Sequence, residues 1–433
     1  MQLNKKSFLA TLAVVLLATQ IVSCGGGSSG GNSSGITQVV SFGDSLSDTG
    51  TYAPVKVMST GVKFTTNPAP LWNEIVASAY GLQLQPNAFV RFNKDYPTDH
   101  DLQMSVVQML AGTSYAQGSA RVSAMPISTL YALNPLDASA NAPSSMPLIP
   151  ATTAYGVVPV VPAGASDVIV GYSFNPANGA SFAAKSGVPT ALTAVSIKDQ
   201  ISNYLNTHND RFTDNQLVTI QGGANDLFVA LATYAAHGNM TPDANYCGGS
   251  APTGIDNIVT CAAKEMALQL KRLVDKGATH ILYANLPDVG NTPEFVLYAM
   301  ADPVNGAATK AAATQLSNAY NAVVSASLTA LGIDNKVTIF DTAQFFTGIL
   351  ASPPAGTVSS PNAKFACLGP ASTSSTTGVT SLGCASAASG GSGFTTADAP
   401  QTYIFADGVH PSLLGHKLWG DAAAALATSS FPH

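Results

Sequence analysis

The sequence predicts an α/β fold with a mainly parallel sheet that is covered by helices on both faces. Segments with helical spacing and short strand-like segments alternate through the second half of the chain, and the run Gln-Leu-Val-Thr-Ile-Gln at 216–221 is typical of a buried strand. Such alternation is typical of parallel sheets, because their crossover connections place helices on both faces. The predicted helices are 197–205, 256–276, 307–331 and a last one through Ala427, and the predicted strands are 216–221, 279–286 and 336–340.

The first half of the chain opens with a strand that ends at a small turn. The apolar run from Val39 to Phe42 stops at Gly43-Asp44, and both of these residue types are common in turns. Further along we predict a loop over 62–72, a helix over 73–80 that ends at Gly81, a short element over 102–111 and a turn of small residues over 112–120. Small residues in that last turn allow the backbone to approach a ligand closely.

Two segments are predicted to be insertions, at about 122–190 and 352–401. Between 122 and 184 the only charged residues are Asp137 and Asp167, and there are eight prolines. This composition is too irregular for long helices and too apolar for a disordered linker. It fits a packed insertion that shields the core or an apolar lid over a site, and we expect the first for most of it and the second for its tip. The segment 352–401 is rich in Ser, Thr, Gly and Ala, which indicates a surface excursion.

The N-terminus is typical of an export signal. Lys5 and Lys6 precede an apolar run over 8–22, which is shorter than a typical membrane span. The run ends in Ile21-Val22-Ser23-Cys24, which resembles a bacterial lipobox, so Cys24 is the predicted lipidation site. A plain secretory signal with an incidental cysteine is the alternative.

These features predict the domain organisation and the location of the protein. Residues 1–23 form a lipoprotein signal peptide, 24–36 a Gly/Ser tether and 37–433 the folded domain with its two insertions. We therefore expect an exported protein that is held to a membrane by an N-terminal lipid anchor. The expected location is that of a bacterial outer-membrane lipoprotein on the periplasmic or surface face, or of a secreted protein if it is not lipidated.

The remaining cysteines fit an exported protein. Cys247, Cys261, Cys367 and Cys384 are even in number and allow three pairings. We prefer the local one, Cys247 with Cys261 and Cys367 with Cys384, in which each bond closes a loop of about 15 residues and contributes roughly 3 kcal/mol in the chain-entropy model. We expect no metal site, because neither Cys-x-x-Cys nor His-x-x-x-His spacing occurs.

The charge distribution argues against nucleic acid as a partner. The formal net charge is −6, only 10% of the residues are charged, and no block of basic residues occurs. Proteins that bind nucleic acid carry a basic patch or stripe.

Ser45 is the candidate nucleophile, because it is the first serine after a strand end. If the residues after it open a helix, the free N–H groups of that helix could stabilise an oxyanion. Gly43-Asp44-Ser45 is also a common turn sequence, so a catalytic role for Ser45 requires partner residues further along the chain. His410 lies three residues after Asp407 in a turn before Pro411, which allows both side chains to face one place.

A neutral donor can be nominated as well. Asn225 follows the strand 216–221 through two glycines, and in open parallel sheets ligands bind at the carboxyl ends of the strands. Ser45 and Asn225 both map to such ends.

These residues together resemble the GDSL lipase/esterase family of the SGNH hydrolase superfamily. Gly43-Asp44-Ser45-Leu46-Ser47-Asp48 is similar to its first block, and Gly118 falls at the glycine of the second block. Gly223-Ala224-Asn225-Asp226 is similar to the third block and Asp407-Gly408-Val409-His410-Pro411 to the fifth. The four blocks occur in family order from about Gln38 to the C-terminus.

The resemblance implies a three-layer α/β/α sandwich and a carboxylic-ester hydrolase that works through an acyl-serine intermediate, without metal or cofactor. It implies Ser45 as nucleophile, His410 as general base and then acid, and Asp407 as the residue that orients it. The backbone N–H groups of Ser45 and Gly118 and the side-chain amide of Asn225 would form the oxyanion hole.

Other functions stay open at this stage. The same site could transfer an acyl group to an alcohol, or the chain could be a non-catalytic surface lipoprotein. The α/β-hydrolase fold is a rival scaffold, but it places Gly-x-Ser-x-Gly in mid-chain. The substrate is expected to be a small-molecule or lipid ester.

Overall fold

The computed structural model describes the chain over residues 35–53, 63–92, 104–118, 120–123, 158–159, 172–173, 194–237, 257–368, 381, 384–389, 391 and 393–432. The predicted signal peptide, the lipidation site Cys24, nearly all of the tether, most of the first insertion and Cys247 lie outside these ranges. The predictions about them therefore stay predictions.

A four-stranded parallel sheet forms the centre of the fold. In chain order the strands are β1 Gln38–Phe42, β2 Ala88–Phe92, β3 Met104–Met109, β4 Val158–Pro159, β5 Tyr172–Ser173, β6 Gln216–Gln221, β7 His280–Ala284 and β8 Thr338–Phe340. The central sheet has the order β1-β6-β7-β8, and each neighbouring pair is parallel. The other strands form two antiparallel pairs, β2 with β3 and β4 with β5.

The described helices surround this sheet. They are α1 Trp72–Ala79, α2 Ile197–Thr207, α3 Ala224–His237, α4 Ile258–Asp275, α5 Pro293–Ala301, α6 Asn305–Ala330, α7 Thr342–Ala351, α8 Ala399–Thr402 and α9 Leu413–Ser430. The helices predicted at 73–80, 197–205, 256–276, 307–331 and through Ala427 are confirmed, with ends that differ by a few residues. At the start of α4 the side chain of Asn257 accepts the N–H groups of Val259 and Thr260, so this residue caps the helix.

Several elements escaped the sequence prediction. Helices α3, α5 and α7 were not predicted. Helices α5 and α7 are short and apolar on most sides, so their sequences show no clear helical period. The unspecified element at 102–111 is strand β3, and its partner β2 was also missed.

The sheet separates two apolar layers, as expected for an α/β/α sandwich. Because strand side chains alternate between faces, Val39, Leu217 and Leu282 pack on the layer that holds α1 and α9. Val40, Val218 and their neighbours pack on the opposite layer, which holds α2, α4 and α6. The fold class predicted from the sequence is therefore confirmed.

The layer of α1 and α9 joins the two ends of the described chain. Trp72 of α1 and Trp419 of α9 are fully buried, and their rings stack with centroids 4.8 Å apart. Within the described ranges, none of the helices combines the length and apolar character needed to cross a bilayer.

A short extended segment lies beside β1 at the edge of the sheet. The N–H of Ser41 donates to the carbonyl of Thr113 over 3.0 Å, and the N–H of Tyr115 donates back to the carbonyl of Ser41 over 2.8 Å. The chain then continues to Gly118 beyond the carboxyl end of β1, so the turn predicted at 112–120 lies close to Ser45.

Candidate active site

Ser45 lies in a tight turn directly after β1. Residues 44–47 form this turn and not a helix, so no helix N-terminus follows Ser45. The side chain of Gln200 in α2 makes two hydrogen bonds to the start of this turn. Its Oε1 accepts the Gly43 N–H over 2.9 Å, and its Nε2 donates to the Gly43 carbonyl over 2.9 Å. Inside the turn, Oδ1 of Asp44 accepts the N–H of Leu46 over 3.0 Å. The backbone around Ser45 is thus fixed by buried hydrogen bonds.

A second turn, between α8 and α9, carries Asp407 and His410. Oδ1 of Asp407 accepts the backbone N–H groups of Val409 over 2.9 Å and of His410 over 2.8 Å. The N–H of Ala406 donates to the carbonyl of His410 over 2.7 Å and closes the turn. These bonds orient the Asp407 carboxylate towards the imidazole of His410.

The two turns meet in a continuous path of hydrogen bonds. Nε2 of His410 lies 2.9 Å from Oγ of Ser45, and Nδ1 of His410 lies 2.8 Å from Oδ2 and 2.9 Å from Oδ1 of Asp407. A carboxylate at Nδ1 keeps the proton on that nitrogen, so the lone pair of Nε2 faces the serine hydroxyl. The path can accept the Ser45 proton and stabilise the imidazolium that results.

Burial and neighbouring charges shift the pKa values of the acidic and basic side chains at this site. Burial alone raises the pKa of Asp407, but the charge of His410 and the hydrogen bonds that the carboxylate accepts outweigh it and hold that pKa below its usual range. Burial alone lowers the pKa of His410, and the neighbouring Asp407 carboxylate outweighs it and raises that pKa. Complete burial raises the pKa of Asp44 to about 7.

Asn225 lies in the first turn of α3, beyond the carboxyl end of β6. One N–H of its amide donates to the carbonyl of Ala120 over 3.0 Å, and the residue lines the same cavity as Ser45. An amide has two N–H bonds, so one is left for a ligand. The preceding Gly223 has φ +113°, and a Cβ there would lie 2.5 Å from the Tyr320 ring. A glycine is therefore required where the chain enters α3.

Gly118 makes a different contact from the one that the sequence led us to expect. Its N–H donates to Oδ2 of Asp48 over 2.8 Å, while Oδ1 of the same carboxylate accepts the N–H groups of Gly50 and Thr51. One N–H that donates to a carboxylate cannot also point at an oxyanion bound to Ser45. The predicted role of Gly118 in an oxyanion hole is therefore not supported by this geometry.

Phe64 connects Gly118 with His410. A Cβ on Gly118 would lie 2.3 Å from Cε2 of Phe64, and the Phe64 ring centroid lies 5.1 Å from that of the His410 imidazole. The sequence predicted only a loop over 62–72, so this contact was missed. Gly118 has a packing role, because only glycine lets Phe64 lie over the imidazole.

The disulfide between Cys367 and Cys384 is present, with a Cα–Cα distance of 5.7 Å, and confirms this part of the predicted pairing. It lies next to the site, because the N–H of Ser381 donates to Oδ2 of Asp407 over 2.7 Å and the N–H of Cys384 donates to the Ser381 carbonyl over 2.9 Å. Asn67 also ties this loop down, since its N–H donates to the Cys384 carbonyl. The hydrogen bond from Ser381 to Asp407 was not predicted from the sequence.

A cavity opens above Ser45. It holds about 100 Å³ and is mainly apolar. Its lining residues come from the segments that follow β1, β6 and β7, from the loop before α1 and from the turn of His410: Ser45, Leu46, Phe64, Ala224, Asn225, Phe228, Pro287, Val289, Thr292, Val409 and His410. Where the structure describes the chain, no group of three or more His, Cys, Asp or Glu side chains is arranged to hold a metal ion.

A family of known proteins matches most of the chain. The family model described as GDSL-like Lipase/Acylhydrolase matches residues 39–423, which include both turns and α3. No curated protein matches the chain.

Proposed function

Because the chain belongs to the GDSL-like lipase/acylhydrolase family, we propose that it is a serine carboxylic-ester hydrolase that works through an acyl-serine intermediate. Membership of the family supports an esterase- or lipase-type hydrolase. The finer proposal assigns Ser45 as the nucleophile, His410 as the general base and acid, and Asp407 as the residue that orients and charge-stabilises the imidazole.

One observation carries this assignment. The distances from Ser45 Oγ to His410 Nε2 and from His410 Nδ1 to the Asp407 carboxylate are all between 2.8 and 2.9 Å. The hydroxyl is 365 residues away from the imidazole in sequence. Three side chains from two turns that are distant in sequence, aligned in the order of a proton relay, support a nucleophilic role better than a structural one.

In the first half of the reaction, the Ser45 hydroxyl attacks the ester carbonyl carbon while His410 Nε2 takes its proton. A bond forms between Oγ and the carbonyl carbon, and the carbonyl oxygen becomes an oxyanion. When the oxyanion collapses, the bond to the alcohol oxygen breaks and His410 gives its proton to the departing alkoxide. The products of this half are the free alcohol and the acyl-serine.

Water then repeats the sequence in the second half. His410 takes a proton from water, the hydroxide adds to the acyl carbon, and the bond to Ser45 Oγ breaks as His410 returns the proton to it. The acid is released and Ser45 is restored. Asp407 remains ionised throughout, which fits its lowered pKa.

The oxyanion needs donors, and two groups of this chain are suited. The Asn225 amide is one, because it borders the cavity and has a second N–H. The Ser45 backbone N–H is the other, at the turn that Gln200 holds. Gly118 is left out of this proposal, since its N–H is bonded to Asp48.

The test combines hydrolysis and labelling. Purified protein is assayed on p-nitrophenyl esters from acetyl to palmitoyl and is incubated with a fluorophosphonate, with Ser45→Ala as the variant and Ser429→Ala, an exposed serine of α9, as its matched control. We expect hydrolysis and labelling in the wild type and the control but not in Ser45→Ala. Labelling at a different serine, or no hydrolysis of any ester, would contradict the proposal.

We also propose that the protein is exported and anchored through a lipid on Cys24. The support is the lipobox-like Ile21-Val22-Ser23-Cys24 after a charged and apolar leader, followed by a Gly/Ser tether. Mass spectrometry of the mature N-terminus tests this. A mature chain that begins at another residue, or at an unmodified Cys24, would refute lipidation.

A further inference from the structure

One wall of the catalytic cavity is built by a single face of α3. Asn225 and Phe228 both line the cavity, and residues three apart on a helix lie on the same face. Phe228 is thus displaced from Asn225 by about 4.5 Å along the helix axis. A group that extends along α3 from a carbonyl held by Asn225 meets the Phe228 ring.

A second ring stands behind Phe228. The rings of Phe228 and Phe295 are nearly parallel, at 3°, with centroids 6.3 Å apart. Phe295 is buried in the larger core layer, with 7% of its surface exposed, and Phe228 packs against the same layer. The Phe228 ring therefore has support behind it and closes this side of the cavity.

The cavity is small and apolar on this side. Pro287 and Val289 complete the wall, and the volume of about 100 Å³ is below the roughly 150 Å³ of a cavity that holds a six-carbon ring. By this comparison, the cavity favours an apolar group shorter than six carbon atoms.

We propose that this cavity binds the acyl group of short-chain esters and that Phe228 sets the upper limit of acyl length. This inference rests on the proposed ester hydrolysis and names the substrate class of the same site. The leaving alcohol oxygen must lie next to His410 Nε2 to receive its proton, and Phe64 borders that side. The acyl group stays on Ser45 and occupies the wall formed by α3.

The experiment uses two series of esters with the full-length protein. In the acyl series, p-nitrophenol is constant and the acid runs from acetate to octanoate; in the alcohol series, the acid is acetate and the alcohol runs from methyl to hexyl. Wild type, Phe228→Ala and Phe228→Leu are compared with Tyr234→Ala. Tyr234 is an exposed aromatic residue of the same helix, outside the cavity lining.

We expect the wild type to prefer butyrate over hexanoate and octanoate. Phe228→Ala should raise the ratio of kcat/KM for hexanoate over butyrate by roughly fifteen-fold, which corresponds to two more buried methylene groups at about 0.8 kcal/mol each. Phe228→Leu should raise it by less. The alcohol series should keep its profile in both variants, and Tyr234→Ala should keep both profiles.

Several results would overturn the inference. A folded Phe228→Ala or Phe228→Leu with an unchanged acyl profile would show that Phe228 does not limit acyl length. A shift in the alcohol series alone would assign this wall to the alcohol. A wild type that hydrolyses octanoate as fast as butyrate would also refute it, although ester hydrolysis itself would stand. A wild type without activity on any ester would instead refute the proposed function, and this inference with it.

Discussion

The buried amide of Gln200 is predicted to position the nucleophile without touching substrate. Its side chain bonds both the N–H and the carbonyl of Gly43, and its Nε2 also donates to the carbonyl of Val195 over 3.0 Å. Only 1% of Gln200 is exposed to solvent. Gln200→Leu keeps the approximate volume of the side chain but removes the partner of the Gly43 N–H and of the Val195 carbonyl, whereas the Gly43 carbonyl still accepts the N–H of Gln117 over 3.1 Å.

The magnitude follows from those two groups. A buried polar group that loses its partner costs about 1–3 kcal/mol, so the low end of this range gives about 2 kcal/mol for the variant. The unfolding entropy of a chain of this length is about 0.9 kcal/mol/K. The melting temperature should therefore fall by roughly 2 °C. Because the turn of Ser45 loses its hydrogen bonds to Gln200, kcat should fall by at least about tenfold with KM nearly unchanged.

Calorimetry and steady-state kinetics on a p-nitrophenyl ester measure the two effects. Gln269→Leu is the matched control, because Gln269 is a buried amide on α4 that bonds Glu265 and does not contact the turn of Ser45. We expect this control to lower the melting temperature but to leave kcat unchanged. If Gln200→Leu lost stability while kcat stayed at the wild-type value, the positioning role would be wrong.

The remaining predictions concern the base, the oxyanion and the disulfide. The neutral form of His410 is the base, so kcat/KM should fall as the pH drops below the pKa of His410. The Asp407 charge raises that pKa, so Asp407→Asn should move the acid limb of a pH-rate profile to lower pH. The same variant should reduce kcat by roughly a thousand-fold or more. Asn225→Ala should reduce kcat by about a hundred- to a thousand-fold on the same esters, and a loss below fivefold would contradict its role. Removing the disulfide with Cys367→Ser should lower both the melting temperature and kcat, because its loop donates an N–H to Asp407; loss of stability alone, with full kcat, would show that this donor is dispensable.

The sequence could predict those parts of the site that follow from strand ends and tight turns. Ser45 and Asn225 each follow an apolar strand, and the carboxyl ends of parallel strands meet at one edge of the sheet. Asp407 and His410 share one short turn, so their contact needs no knowledge of the rest of the chain. The fold class followed from the same alternation of strands and helices.

The supporting residues could not be predicted, because their roles depend on packing between distant segments. Gln200 lies 157 residues from Gly43, and its helix resembles any amphipathic surface helix in sequence. Ser381 belongs to a stretch of similar small residues, and only the path of the disulfide loop brings its N–H to Asp407. The Gly118 N–H shows a related effect: the sequence places a glycine near the site but does not predict that its N–H donates to Asp48.

The stacked tryptophans of α1 and α9 also bear on how the protein folds. Trp72 and Trp419 bring helices α1 and α9 together. The turns of Ser45 and His410, 365 residues apart, are also in contact. Contacts of such high sequence separation bring a large loop-closure entropy and form late in folding. Secondary structure should therefore return before activity when the denatured protein is diluted into buffer, and recovery of ester hydrolysis reports the final docking of the C-terminal helix.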